Sequence, residues 1–367
     1  MELEVQKFLR TGGTLAELTA TYAIKVKHNE ALGVVALNYN QIASPMHEPI
    51  CQECRALILG TEQWEVVSRS FFKFFNWLEP NAHPLDWDTA RVQEKVDGSL
   101  ICFYFHRGEW RIATKGTPDA SGPVNTSGTT FRALVERALV EGGGSLAGLT
   151  DRLDPGTFYS FELTAPENRV IVPFAERRLT WLAAWDKATL AERDIAEMED
   201  LPTARVREHP LQTLEEVMQA VEAIAPFGGE GVVVRDAAYH RVKIKSAAYV
   251  MIDRVLGTLS TPRRKVEAAL SPGFDDMLPH LPESVKAELL DIQARASALR
   301  LEIAATFARL RGLPDRKAFA AEAVAYTYSP VLFWLYSGVE MDECFLRLPP
   351  DRLVDWLGLA PETLTEE

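Results

Sequence analysis

Apolar and polar residues alternate one by one along several short stretches in the first two-thirds of the chain, the pattern of half-buried strands. Residues 34–39 and 55–59 read as strands, with Gly60, Thr61 and Glu62 turning the second one back. Ile101, Phe103 and Phe105 alternate with Cys102, Tyr104 and His106; Arg107, Gly108 and Glu109 turn, and residues 110–116 return, which predicts a hairpin. Further strands are predicted over 157–163, 169–172, 179–185, 231–235 and 241–245. Thr14 with Glu17 has capping-box spacing and opens a short helix. A helix near 129–141 ends in Gly142, Gly143 and Gly144, a linker rather than a phosphate loop, because such a loop precedes its helix. Acidic helices are predicted near 190–199 and 213–223, the second opened by Thr213 and Glu216, and another helix from Ser246. Strands and helices mix without regular βαβ alternation, so an antiparallel α+β fold is expected over a doubly wound sheet.

The pattern changes past Gly257. Thr258, Leu259, Ser260, Thr261 and Pro262 read as a linker. Leu289, Ile292, Ala296, Leu299, Ile303, Phe307 and Leu310 then step by three and four, as in a long amphipathic helix. Two domains are expected: an α+β domain over 1–257 and an all-α domain over 258–367. No internal repeat is visible.

Composition narrows the class. A chain of 367 residues can bury two cores, and 47% hydrophobic with 25% charged residues is ordinary for a soluble protein. There is no apolar run long enough to span a bilayer, and Met1, Glu2, Leu3 and Glu4 lack a signal-peptide pattern. A cytoplasmic protein with no membrane partner is therefore expected, and its oligomeric state is expected to be a monomer. Cys51 and Cys54 form a lone C-x-x-C, and Cys102 and Cys344 stand apart, so free thiols are expected rather than zinc. A net charge of −13 argues against phosphate contacts along a long nucleic acid, but not against gripping one end. Phosphates are expected at residues 235–265, where eight Lys/Arg face two acids, whereas residues 266–367 carry 17 acidic and 9 basic side chains.

The candidate chemistry centres on Glu94-Lys95-Val96-Asp97-Gly98-Ser99-Leu100. A lysine amine attacks only when neutral, and its ordinary pKa of about 10.4 keeps it charged unless desolvation or nearby cations intervene. Asp97 can brace the turn, and Gly98 lets backbone approach a ligand. Alone, this stretch is equally the sequence of a surface turn. Lys243 and Lys245 alternate on one strand face, so both ammoniums can reach one triphosphate and press on Lys95. The bland alternative is a solvated strand face. Arg69 and Lys73, set among Phe71, Phe72, Phe74 and Phe75, read equally as core aromatics with snorkelling cations.

The order K-x-D-G, then Phe161-Glu162-Leu163, then Glu230-Gly231-Val232-Val233-Val234-Arg235, then Val242-Lys243-Ile244-Lys245 resembles the covalent nucleotidyltransferases. Glu53-Cys54-Arg55-Ala56, Lys73-Phe74-Phe75-Asn76 and the run from Phe161 through Asn168 and Arg169 to Val172 narrow the resemblance to phage-type ATP-dependent single-strand RNA ligases of tRNA repair. It covers roughly residues 35–255. It implies ATP and Mg2+, with Mn2+ an alternative, and RNA carrying 3′-OH and 5′-phosphate ends, such as cleaved tRNA. It implies that Lys95 forms lysyl–AMP, that Arg55 and Lys73 hold the outer phosphates, and that Glu162 accepts from the ribose. It gives Glu230 a metal, and makes Phe75, Glu94, Gly98, Lys115 and Tyr249 functional positions. Asp275 and Asp276 resemble an acidic pair near the metal, though a solvated acid pair at a helix start is the stronger reading. Glu162 has its own structural reading, a strand carboxylate partnered by Arg169. DNA ligases and capping enzymes place a β-barrel after K-x-K, and no such pattern follows here. A catalytically silent RNA-end-binding module is the remaining alternative.

Overall fold

The computed structural model describes residues 2–124, 128–271, 273–278 and 281–359. The chain divides into two compact units, residues 1–250 and 251–367. The division falls within the helix Ala247–Thr258, which also contains Gly257.

Three sheets build the first unit. Ile24–Asn29, Val34–Tyr39, Leu57–Gly60 and Val66–Ser68 form an antiparallel meander. The second sheet runs Glu192–Arg193, Arg178–Asp186, Thr157–Thr164, Ser99–His106, Glu109–Thr114, with Ala204–Arg205 paired parallel to Arg178–Asp186. The third runs Glu208–His209, Arg91–Glu94, Gly231–Arg235, Arg241–Lys245, Phe75–Asn76, its last pairing parallel.

Burial follows from these layers. One face of the second sheet (Leu100, Cys102, Tyr104, Phe158) shares a core with the first sheet. Its other face (Ile101, Phe103, Phe161, Trp181) packs with Leu134, Val135 and Ala138 of the helix Phe131–Glu141. Apolar residues on both faces are what a doubly covered strand requires. The third sheet buries Val232, Val234, Val242 and Ile244 with Val217 and Val221 of the helix Leu214–Glu222, which opens with the expected Thr213–Glu216 capping box.

Two predicted elements are different. Residues 190–199 form the short strand Glu192–Arg193 and the single turn Ile195–Glu197, capped by Asp194, instead of a helix. Residues 169–172, three of them β-branched, are unpaired in any sheet, because the N–H groups of Ile171 and Val172 are taken by a carboxylate described below.

In the second unit, every regular element among the described residues is a helix, the longest being Glu283–Arg311. Leu289, Ile292, Ala296, Ile303 and Leu310 line its own core with Phe319, Val331 and Phe345. No described helix is long and apolar enough to cross a membrane. All four cysteines are buried free thiols.

Candidate active site

Lys95 follows directly on the strand Arg91–Glu94, whose Glu94 pairs with Val232, and its own N–H donates to the Gly231 carbonyl at 3.0 Å. Gly231 has φ +145°, and a Cβ there would lie 2.1 Å from the Ile244 carbonyl oxygen, so only glycine brings the three strands together beside the lysine. Gly98 is also a packing glycine. Its Cβ would meet the Leu163 carbonyl oxygen at 2.3 Å, so close backbone approach alone requires glycine here.

Asp97 is buried and braces the turn through three bonds. Its Oδ2 accepts from the N–H groups of Ile171 and Val172 at 2.9 and 2.8 Å, and its Oδ1 accepts from the Tyr249 hydroxyl at 2.7 Å. Ser99 donates to Asn168 Oδ1, and Asn168 donates on to the Leu163 carbonyl. The lysine turn is thus fixed from the second sheet, the 165–172 segment and the helix Ala247–Thr258 at once.

Glu230 is buried and holds two lysines. Its Oε2 lies 2.6 Å from Lys95 Nζ and its Oε1 lies 2.9 Å from Lys245 Nζ. The Lys245 ammonium also stands 4.8 Å from the Tyr249 ring centroid. Lys243, on the same strand face, has no carboxylate within ion-pair distance among the described residues. Burial, then Lys73, Lys245 and Lys95, pull it down to about 8. Glu162, opposite Leu100 on the second sheet, is pushed up to about 7 by desolvation, which Lys95 and Arg55 oppose. Arg169 donates to the Ile171 carbonyl and lies over the Phe227 ring.

A second group of cations lies alongside. Arg55 packs over the Phe71 and Phe74 rings, and its Nη1 is buried with no hydrogen-bond partner among the described residues. Ala56, next to it, has φ +53°, a left-handed backbone that a residue with a Cβ adopts at a cost. Lys73 lies over the rings of Tyr39 and the buried Phe75, and Lys115 lies 5.1 Å from the Tyr39 centroid. Burial alone would push Tyr39 up, yet Arg55, Lys73 and Lys115 together bring it below its ordinary value. Lys115 is lowered by burial and by Arg55, Lys73 and Lys25. Tyr39 was not legible as a site residue. Its one signal is a polar tip ending an apolar strand.

The expected basic stretch at 235–265 is not one phosphate surface. Arg235 pairs with Asp194 and Arg241 with Glu192, while Arg263, Arg264 and Lys265 meet Glu267 and Glu288 in the second unit. Only Lys243 and Lys245 of that stretch join Lys95. Asp275 is exposed on the short helix Phe274–Met277 of the second unit, and the Asp276 side chain lies outside the described ones. Among the described residues no group of three or more His, Cys, Asp or Glu is arranged to hold a metal.

The chain is similar to known proteins over this site. The RNA ligase family model matches residues 53–249. The "Putative bifunctional polynucleotide kinase/RNA ligase" of Autographa californica nuclear polyhedrosis virus is 30% identical over 304 residues, covering 77% of this chain and 43% of that protein. The RNA ligase of Rhodothermus phage RM378 is 25% identical over 288 residues, covering 61% of this chain and 65% of that protein. This chain therefore spans 43% and 65% of the lengths of these two relatives. With a match that covers more than half of its residues and takes in Arg55, Lys95, Glu230 and Tyr249, the chain belongs to the RNA ligase family.

Proposed function

We propose that this protein is an ATP-dependent RNA ligase that works through a lysyl–AMP intermediate on Lys95. One observation carries the reading: beside a lysine held by a buried carboxylate stand cations lacking protein acceptors, Arg55 through its orphan Nη1 and Lys243 without an anion. A buried donor without an acceptor is costly unless a ligand supplies one. A triphosphate supplies several.

In this mechanism Lys95 Nζ attacks the α-phosphorus of ATP, forming a P–N bond and breaking the P–O bond to pyrophosphate. Glu230 Oε2, 2.6 Å from Nζ, would receive the proton. Lys243, Lys245, Arg55 and Lys73 neutralise the phosphates, and alignment with charge stabilisation supplies most of the rate. Glu162 would accept from the ribose hydroxyls. AMP then passes to an RNA 5′-phosphate, and a 3′-hydroxyl displaces it to seal the strand.

Carboxylates suit Mg2+, which is commonly held by one or two of them and by substrate phosphates. Glu230 would provide that ligand, with Mn2+ a substitute, and the ion would screen phosphate charge. Structured RNA such as a cleaved tRNA loop is the proposed substrate, with the helical unit contributing to its selection.

Incubation with α-labelled ATP tests the reading. Covalent label is expected on the wild type and none on Lys95→Ala or Lys95→Arg, since a guanidinium does not deprotonate in a protein. Label that survives Lys95→Ala would sink the mechanism. Discharge of the label to DNA ends in preference to RNA ends would overturn the substrate class.

A further inference from the structure

The strand Arg241–Lys245 turns Val242 and Ile244 into the core and sets Arg241, Lys243 and Lys245 in a row on its other face. The two end cations each have a carboxylate. Glu230 holds Lys245, and Glu192 holds Arg241, with only 10% and 8% of the Glu192 and Arg241 side chains exposed. Arg241 Nη1 donates to Glu192 Oε2 at 2.8 Å and to the Tyr239 carbonyl at 3.1 Å, and its guanidinium lies 4.9 Å from the Phe71 ring centroid. Glu192 comes from a different sheet, on the two-residue strand Glu192–Arg193 at its edge. The middle cation, Lys243, is left without an ion-pair partner among the described residues. We propose that Glu192 is a positioning residue for the phosphate-binding face: by neutralising Arg241 inside the protein, it anchors the start of the strand and leaves Lys243 as the row's uncompensated cation.

Residues two apart on a strand stand roughly 7 Å from each other, close enough for an unneutralised guanidinium to act on an ammonium in a partly buried setting. Lys73, Lys245 and Lys95 already face Lys243 as cations, and Glu79, which Asn76 engages, is the carboxylate facing it. A bare guanidinium two residues along the strand would add to these cations, lower Lys243 further and weaken its hold on phosphate. Glu192 prevents this.

This inference rests on the triphosphate reading above. Its test measures the binding of labelled ATP to the full chain in EDTA, from pH 6.5 to 9.5, so that no adenylation occurs. Wild-type affinity is expected to fall as pH rises through a midpoint set by Lys243. Glu192→Gln should move the midpoint to lower pH by about half a unit or more, from the like-charge effect. Arg241→Gln should move it up, and the neutral pair Glu192→Gln/Arg241→Gln should return it to the wild-type position. A merely structural role would lower the melting temperature of the single variants and leave their midpoints in place. Unmoved midpoints in whichever single variants fold, or a neutral pair displaced from the wild type, would overturn the proposal. Failure of the wild type to bind ATP would instead remove the triphosphate reading beneath it.

Discussion

The Tyr249 hydroxyl donates to Asp97 Oδ1 at 2.7 Å, joining the first turn of the helix Ala247–Thr258 to the Lys95 turn. Tyr249→Phe removes this bond and leaves Asp97 with its two backbone donors. A hydrogen bond to a carboxylate contributes about 1.5–3 kcal/mol. The variant is expected to lose stability of that order in urea unfolding and to form lysyl–AMP about tenfold more slowly, as about 1.4 kcal/mol at the barrier would give. An unchanged adenylation rate would show that the brace serves the fold alone.

Glu162 gives stability a pH signature. Its carboxyl is raised from the ordinary value of 4.5 to about 7, so between those values the folded state binds a proton that the unfolded state lacks. Stability from this group therefore falls as pH rises from about 4.5 to 7, and above that window the folded protein carries a charge that its desolvated site disfavours. Glu162→Gln should flatten this part of the profile and gain stability relative to wild type at pH 8. Parallel urea midpoints for the two proteins at pH 5 and pH 8 would count against the shift. Weaker ATP binding by the same variant would support its ribose contact.

Ala56 offers a test of how Arg55 is aimed. At φ +53° a glycine relieves strain, so Ala56→Gly is expected to be neutral or stabilising by up to about 1 kcal/mol. Ala56→Val puts a β-branched residue in the left-handed region, and also crowds a buried position. It should destabilise by about 1–3 kcal/mol and weaken ATP binding by moving Arg55. Equal ATP affinity in the glycine and valine variants would show that this backbone does not position the guanidinium.

The strand run from 231 to 245 was legible because apolar and cationic residues alternate there, and the pattern alone tells which face is buried. Lys95 was legible through the residues that hold its turn. Other features depended on distant partners. Residues 169–172 have strand propensity, but Asp97, far away in the chain, takes the two N–H groups that a sheet would need. Residues 190–199 have helix-forming composition, yet Glu192 and Asp194 are spent on Arg241, Arg91 and Arg235. The same pairings explain why counting basic residues from 235 to 265 exaggerated the phosphate surface. Charge counts cannot tell a neutralised arginine from a free lysine. Tyr39 belongs with these, since only the folded structure gathers Lys73 and Lys115 around its ring.

The two units suggest a division of labour that truncation can test. Lys95, Glu230, Lys243, Lys245, Arg55 and Tyr249 all lie in residues 1–250, and the hydrophobic clusters of that unit draw only on its own residues. The second unit has a separate core and an acidic balance, with Arg263, Arg264 and Lys265 already paired to carboxylates. An acidic unit cannot supply broad electrostatic affinity for RNA. Its proposed contribution is shape and a few local contacts that orient one end of a structured substrate. A protein ending at residue 265 keeps the whole helix Ala247–Thr258, and with it Tyr249. It should still form lysyl–AMP at close to the full-length rate. It should join the ends of a cleaved, structured RNA loop at least tenfold more slowly, a loss of about 1.4 kcal/mol or more at the barrier, and unstructured RNA should suffer less. The measurement is end-joining rate for both substrates at matched adenylation, truncated against full-length. Equal losses on the two RNAs would remove substrate choice from the helical unit. A truncated protein that is folded and soluble yet takes no label from ATP would go further, because the second unit would then be needed to build the nucleotide site itself, with Asp275 the first residue to substitute.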